Sequence, residues 1–577
     1  MSKFKAICSS DTPSLLYQNV LKNRKISERV INNLSNANEN DIYDFKLLKN
    51  IEKAIEILHR FIEEEKIITL VVDCDVDGLT STAILYQFLH DVYPKAKENL
   101  RVLMHEGKKH GMSDDIEMPI ETDLLLMADA GTNDIEQQQK FVNEVKGREI
   151  IILDHHPTTE EYREVSNVCL VNSQEGDYPN KFLSGAGVAY KFIQAYGERY
   201  GYIYDIYQDI AGLGNLADAM DSTSIETRAF FNHVTDYDNI YSLYLKTLID
   251  NDKYEKLSLK FLAWKVIPPL NAVMRIGTME DKRDLFFGFV SRNKEEVEKA
   301  IKVAKNCKAK QDREKKKMVA TCHEIIEEEN LNSLGILLVN TTGIGKDSNL
   351  NGLVAQILAE HYNKPCLVYS LSNGIFVGSG RNSNLEVINN FRDWCLDTGL
   401  FELAQGHESA FGIRITQENE QRIRHLIAKT FPISDASEKM VFVDGVIDFD
   451  KLDYNEITKI AKLENLWCTT LKEPTFCIKN VRCNTKDLTR RGARKNVLSF
   501  NLDKFSFFKN FLSADFYNEL TLDTCEEDIV GKEVLIDFVV TFNLNTYNGF
   551  TKTQMNIIDA YSREELFTKE VSIEDIW

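Results

Sequence analysis

Ile67-Ile68-Thr69-Leu70-Val71-Val72-Asp73-Cys74-Asp75-Val76-Asp77-Gly78-Leu79-Thr80-Ser81-Thr82 decides the fold. An apolar, β-branched run stops at three carboxylates in alternate positions. Glycine, hydroxyls and a further apolar run over residues 83–89 follow. The pattern predicts a buried strand, a tight acidic loop and a helix. Carboxylates at the carboxyl end of a parallel strand face the crevice in which α/β proteins bind ligands. Three anions this close repel one another unless a cation lies among them, and a divalent ion with oxygen ligands meets that need. Taken alone, the stretch reads equally well as an acidic surface turn with a helix cap.

The pattern repeats downstream. After Asp123, residues 124–128 are apolar and end in Asp129-Ala130-Gly131-Thr132-Asn133; after Glu149, residues 150–153 are apolar and end in Asp154-His155-His156-Pro157. Short continuous apolar runs suit strands buried on both faces, and strands alternating with helices predict a doubly wound parallel sheet. A polar loop, His105-Glu106-Gly107-Lys108-Lys109-His110-Gly111, lies between the first two runs. Helical spacing marks residues 51–62, and residues 184–221 read as helix with small-residue contacts. Asp218 follows the apolar face of that helix, an unusual place for a solvated charge. Residues 225–330 are mostly helical, and their charged run over 305–329 reads as a solvated bridging helix. Patterning of α/β type resumes at residue 334. From residue 440 the chain is strand-rich, which predicts a small barrel of oligonucleotide-binding type.

These shifts divide the 577 residues into an N-terminal helical extension (1–45), a catalytic domain (46–230), a helical connector (231–330), a second α/β lobe (331–432) and the barrel-like domain (433–577). Apolar content of 43% and charged content of 27% describe an ordinary globular chain. No apolar run approaches the roughly 18–20 residues of a membrane span. The first residues lack the apolar core of a signal peptide. Eleven cysteines without a Cys-x-x-Cys pair argue against a zinc or redox motif and fit a reducing cytoplasm. A net charge of −20 argues against a general polyanion sponge, though not against local phosphate sites.

Three strand ends thus bring Asp73, Asp75, Asp77, Asp129, Asp154, His155 and His156 to one crevice, which Asp218 can join from a helix. Hard carboxylate oxygens with an imidazole suit Mn²⁺ or Mg²⁺. Several carboxylates can hold two ions, the arrangement used for two-metal phosphoester hydrolysis. Adjacent His155 and His156 point apart, so one can ligate while the other faces a phosphate.

Asp154-His155-His156 resembles the signature of the DHH phosphoesterase superfamily, and Asp75-Val76-Asp77-Gly78, Asp129 and Asp218 match its other metal-binding motifs in order. The stretch 73–82 resembles the RecJ single-strand-specific exonucleases, as does Pro268-Pro269-Leu270-Asn271-Ala272-Val273-Met274-Arg275, similar to the segment linking their two lobes. Pro269 and Met274 replace the usual Arg and Gly, whereas Asn271 and Arg275 are kept. Gly406-His407-Glu408 resembles a glycine-rich motif of the DHH-associated domain, with Ala404 and Gln405 in place of glycines. Gly378-Ser379-Gly380-Arg381 matches that domain's phosphate-contacting pattern. The resemblance implies a DHH lobe, a DHH-associated lobe and an OB-like domain. It assigns Asp75 and Asp77 to different metals, Asp129 to a bridge, and His155 and Asp218 to the second metal, with Asp73 a further contact to the first. Some relatives have a histidine ligand where Val71 stands. Catalysis falls to Asp154 and His156, with His156 binding the scissile phosphate. Lys109, His110, Asn271, Arg275, Ser379, Arg381 and His407 become candidate substrate contacts.

Arg490, Arg491, Arg494 and Lys495 read either as a solvated loop or as a groove tracking a single-strand backbone. Phe500, Phe505, Phe507 and Phe508 read as core, and the acidic C-terminal peptide as a frayed tail. The function expected is Mn²⁺- or Mg²⁺-dependent exonucleolytic hydrolysis of single-stranded DNA, 5′ to 3′ by the resemblance, in repair, recombination or replication. A single-strand-binding or repair protein is a candidate partner. The alternatives are a phosphodiesterase of short oligonucleotides or cyclic dinucleotides, and a non-catalytic replication scaffold.

Overall fold

The computed structural model describes residues 3–6, 15–107, 109–112, 116–159, 162–252, 255–344, 348–385, 387–431, 440–468, 470–492, 495–510, 512–521, 533–547 and 550–562. The chain divides into two compact units. One comprises Asn38–Met220 and Ala229–Ser437; the other comprises Met1–Ala37, Asp221–Arg228 and Glu438–Trp577.

The larger unit is built on a five-stranded sheet: β1 (Ile68–Val72), β2 (Leu100–Met104), β3 (Leu124–Ala128), β4 (Glu149–Asp154) and β5 (Val168–Asn172). Its order is β2-β1-β3-β4-β5, and every pairing is parallel. β1 and β3 are buried along their whole length, as continuous Val/Ile/Leu runs require when helices cover both faces. The strand order reverses direction at β1, so the crevice opens beside the acidic loop. Helices α1 (Ile51–Glu63), α2 (Val76–Val92), α3 (Ile135–Glu144), α4 (Gly185–Tyr200) and α5 (Gln208–Ala217) accompany this sheet.

The connector contains α6 (Ile267–Ile276), entered through a π-turn at Leu262–Val266 and started by two prolines, then α7 (Met279–Phe289) and α8 (Lys294–Glu328). The prolines sit in the first turn, where no intrahelical N–H is lost. The charged run lies in α8, yet one stripe of that 35-residue helix is buried, from Val297 through Ala304 to Met318, Cys322 and Ile326. Only its remaining faces are solvated.

A second sheet follows: β6 (Leu337–Asn340), β7 (Cys366–Ser372), β8 (Ile375–Arg381), β9 (Leu403–His407) and β10 (Ala410–Thr416), in the order β9-β10-β8-β7-β6. β6 and β7 pair in parallel and the others antiparallel. Helices α9 (Asn351–Tyr362) and α10 (Gln417–Thr430) belong to this lobe.

In the smaller unit, a seven-stranded sheet runs from Gly445–Asp448 through Phe476–Asn484, Glu533–Tyr547, Phe550–Ser562, Phe505–Lys509 and Val497–Leu502 to Thr489–Arg491. Among the described residues the pairings run edge to edge, and the ring does not close. Helices Leu16–Asn23 and Glu28–Ser35 share its core through Leu16, Val20, Ile31 and Leu34. Phe500 and Phe507 stack at 4.7 Å between ring centroids, and both are buried with Phe505. They fill the core, as their apolar area favours.

Candidate metal centre and phosphate-facing residues

The loop after β1 delivers three carboxylates in three different settings. Asp75 is the N-cap of α2 and accepts a hydrogen bond from the Gly78 amide (3.1 Å). Asp77, in the first turn, is clasped by the start of α4: Oδ1 accepts from Ser184 Oγ and the Ala186 amide (both 3.0 Å), and Oδ2 accepts from the Gly185 amide (2.7 Å). A helix N-terminus thus stabilises a buried anion. Asp73 accepts from the Gly111 amide (3.0 Å) and from His110 Nδ1 (2.7 Å). A Cβ on Gly78 would come within 2.5 Å of Asp73 Cβ, so only glycine lets α2 start this close to its own strand.

Asp129 lies at the end of β3 with φ +66° and is 4% exposed. Left-handed backbone suits aspartate better than most residues, and here it turns the carboxylate toward the crevice. A Cβ on Gly185 would meet Asp129 Cβ at 2.5 Å, so α4 also depends on glycine for its approach. From β4, His155 Nε2 lies 3.1 Å from Asp129 Oδ1, 3.5 Å from Asp218 Oδ2 and 3.9 Å from Asp77 Oδ2. Asp218 caps the C-terminus of α5. Ligand atoms of Asp77, His155 and Asp218 fall within 4.8 Å of one another, as do those of Asp73, Asp75 and Asp129. These separations let each set close on one ion.

The electrostatics agree. Burial, then Asp73 and Asp77, raises the Asp75 carboxyl above its usual range. Burial, then Asp77 and Asp75, raises Asp129 well above it. The same causes push Asp218 up to about 8. Burial lowers His155, keeping its imidazole neutral with a lone pair available. Mutually destabilised carboxylates beside a neutral imidazole form a donor set completed by divalent cations of Mn²⁺ or Mg²⁺ character.

Asp154 behaves differently. Its Oδ1 accepts from the His155 amide (2.7 Å), the His156 amide (3.2 Å) and His156 Nδ1 (2.8 Å). Its Oδ2 accepts from the Thr132 amide (3.1 Å) and Thr132 Oγ1 (2.6 Å). Burial raises its pKa, but His156 and the other donors outweigh this and hold it below the usual carboxylate range. Hydrogen bonding to Asp154 in turn pushes His156 up to about 9 against the opposing effect of burial. Asn172 donates to Thr132 Oγ1 (3.1 Å) and to the His156 carbonyl (2.9 Å), tying the group to β5. Asp154 is therefore a positioning residue. His156 is a half-exposed imidazolium whose Nε2–H can face a phosphate.

Asn271 and Arg275 lie one turn apart on α6. Asn271 Oδ1 and Arg275 Nε are buried without a hydrogen-bond partner. Burial, then Arg275, lowers the Arg381 guanidinium below its usual range. Neither arginine has an ion pair among the described residues. Ser379 and Arg381 both flank Gly352 at the start of α9, where a Cβ would lie 3.3 Å from Ser379 Oγ and 2.9 Å from Arg381 Nη2. Two neighbouring guanidiniums at a helix start without a carboxylate suit an anion. His407 is exposed, two strands from Arg381 in register through Ala410, or about 10 Å away. Lys109 and His110 lie in the loop after β2, and His110 is committed to Asp73.

In the smaller unit, Arg490 stacks over Tyr517 at 4.4 Å, and Arg491 and Lys495 are exposed. Arg494 and Lys108 lie outside the described residues, as does the C-terminal peptide. The sequence patterns did not single out Thr132, Asn172, Ser184, His105 or Lys282. Ser184 alone carried a signal, as a capping residue before Gly185-Ala186-Gly187.

Residues 67–217 match the DHH family N-terminal domain, and residues 443–559 match the RecJ OB domain. The chain is 29% identical to a putative SPbeta prophage-derived single-strand DNA-specific exonuclease, YorK, of Bacillus subtilis (strain 168), covering 96% of each chain. It is 22% identical to the single-stranded-DNA-specific exonuclease RecJ of the same organism, covering 90% of this chain and 64% of the relative. The crystal structure of RecJ in complex with Mn²⁺ from Thermus thermophilus matches with a TM-score of 0.65 at 19% identity, over 90% of this chain and 72% of that one.

Proposed function

We propose that this chain, a RecJ-like protein of the DHH superfamily, is a divalent-metal-dependent exonuclease that hydrolyses phosphodiester bonds of single-stranded DNA. The observation that carries the reading is the cluster of Asp75, Asp77, Asp129, His155 and Asp218, in which burial and then the neighbouring carboxylates raise Asp75, Asp129 and Asp218 and burial keeps the imidazole neutral. Asp75, Asp129 and Asp73 would hold one cation, and Asp77, His155 and Asp218 the other, with Asp129 beside both. Bound cations supply Lewis acidity, making an attacking water more acidic and neutralising charge on the phosphoryl oxygens. His156, held by Asp154, donates a hydrogen bond to the phosphate where negative charge grows in the transition state. Arg275, Arg381, Ser379 and Asn271 bind a neighbouring phosphate and orient the strand. The OB domain extends contact along the single strand, with Arg491 and Lys495 as its candidate cations.

A 5′ to 3′ direction, a role in DNA repair, recombination or replication, a cytoplasmic location and a single-strand-binding or repair protein as partner belong to the same proposal. Among the described residues no helix is long and apolar enough to cross a membrane. The test is a substrate panel with Mn²⁺: single strands labelled at the 5′ or 3′ end, duplex DNA, RNA and dinucleotides. Early release of labelled mononucleotide from 5′-labelled single strands is expected. Preferential cleavage of dinucleotides, with long single strands left intact, would favour the small-substrate phosphodiesterase instead.

A further inference from the structure

Beside the oxygen-rich cluster lies a second group of donors of different chemical character. Cys74 follows Asp73 in the loop after β1 and is 1% exposed. His110, from the loop after β2, places Nδ1 2.7 Å from Asp73 Oδ2 and its two ring nitrogens 3.4 and 3.3 Å from Cys74 Sγ. Ligand atoms of Asp73, Cys74 and His110 all fall within 4.8 Å of one another. His105, directly after β2, adds a fourth donor. It is 1% exposed, its Nε2 lies 4.0 Å from Asp73 Oδ1, and neither ring nitrogen has a hydrogen-bond partner. Buried polar groups are seldom left unsatisfied, and such a group at a cluster of ligand atoms calls for an explanation. The nearby cation does not supply one: Lys282 Nζ donates to the carbonyls of His105 (2.7 Å) and Gly107 (2.8 Å), fixing the loop and leaving both rings to the cluster.

We propose that Asp73, Cys74, His105 and His110 form a mixed sulfur, nitrogen and oxygen site for a thiolate-binding divalent ion such as Zn²⁺, linked to the oxygen-rich centre through Asp73. A tetrahedral zinc with Zn–N near 2.0 Å and Zn–S near 2.3 Å has ligand–ligand edges of about 3.3–3.8 Å. The separations of 2.7 to 3.4 Å among Asp73, Cys74 and His110 lie close to that range, and His105, 4.0 Å from Asp73 Oδ1, turns inward to complete the set. Thiolate and imidazole donors select zinc over Mn²⁺ or Mg²⁺, whereas the neighbouring carboxylates do the reverse. Loading expels the Cys74 thiol proton to solvent, and the ion takes the place of the proton that His110 shares with Asp73. Sequence spacing hides the site, because its donors come from two loops rather than a Cys-x-x-Cys pair. A consequence that rests on the proposed function is inhibition: a filled site draws on Asp73, so Zn²⁺ at stoichiometric levels lowers the activity supported by Mn²⁺.

The test is a Co²⁺ titration of the full-length protein in excess Mg²⁺, which occupies the oxygen sites and is spectroscopically silent. One equivalent should produce a thiolate-to-cobalt charge-transfer band and tetrahedral ligand-field bands, and Zn²⁺ should displace both. Cys74→Ser should remove the charge-transfer band. His105→Ala and His110→Ala should each weaken Zn²⁺ binding by at least about tenfold. No charge-transfer band in the unmodified protein, or an undiminished band in Cys74→Ser, overturns the proposal. If Cys74→Ser fails to fold by circular dichroism, His110→Ala, at a half-exposed side chain, decides alone: an unchanged band overturns the site. A band in a protein that cleaves no DNA would refute the nuclease reading and leave the metal site standing.

Discussion

Identical side chains take different roles here because their partners differ. Asp154 receives five hydrogen bonds that hold its pKa below the usual carboxylate range, whereas burial and facing carboxylates raise Asp129 and Asp218 above it. The aspartates were legible as a set, since alternation in one loop and repeated strand ends mark them. Their division of labour was not, because it depends on Thr132, Ser184 and backbone amides that only folding brings near. The Asp154–His156 pair gives a signed pH prediction. His156 is raised to about 9, so its imidazolium, and the stability of its bond to Asp154, is fully present below the ordinary 6.5 and lost as pH rises through 9. Asp154→Asn removes the main cause. The basic limb of the pH–rate profile should then move toward lower pH, with the rate at neutral pH falling about 10²-fold. An unmoved basic limb would remove His156 from the proton inventory.

Among the elements, the continuous apolar runs were read correctly: β1, β3 and β4 lie within a residue or two of the predicted strands, and α1 coincides with its helical spacing. β2 was hidden because Arg101 interrupts its apolar run, and with it His105 lost its place at the crevice. β8, β9 and β10 were hidden by glycines that lower strand propensity, although antiparallel pairing holds them together. Helix termini carry much of the site, and α4 is the clearest case. Gly185→Ala would place a Cβ 2.5 Å from Asp129 Cβ and displace both the Asp129 carboxylate and the amides that clasp Asp77. The expected result is a loss of about 1–3 kcal/mol in stability by denaturant titration, with a larger fractional loss in Mn²⁺-dependent rate. Unchanged metal affinity in this variant would contradict the assigned geometry. Arg381→Ala tests the second lobe. It should raise KM for long single strands about tenfold or more and flatten the salt dependence of binding, with little change in metal affinity.

For the whole molecule, the charge cluster links stability, protons and metal. Asp75, Asp129 and Asp218 have raised folded pKa values, so their contribution is present at acid pH and lost as pH rises through the folded value, about 8 for Asp218. Metal-free protein should therefore melt at a lower temperature near pH 8 than near pH 5, and Mn²⁺ should abolish the difference. Binding of Mn²⁺ at pH 7 should release protons, measurable as buffer-dependent heats in calorimetry. Metal binding without proton release would contradict the coupled acidic cluster. The strand-rich end of the chain was legible as such, and the matched RecJ OB domain falls there. The association of Leu16–Asn23 and Glu28–Ser35 with that end was not legible, because long-range packing leaves no local periodicity.

The most direct measurement of the central claim is Mn²⁺-dependent release of mononucleotides from 5′-labelled single-stranded DNA, by the unmodified protein and by Asp129→Ala side by side. Processive release by the former, abolished by chelation and restored by Mn²⁺, is expected, with a rate more than about 100-fold lower for the variant. Equal rates for the two proteins, or cleavage that survives chelation, would contradict it.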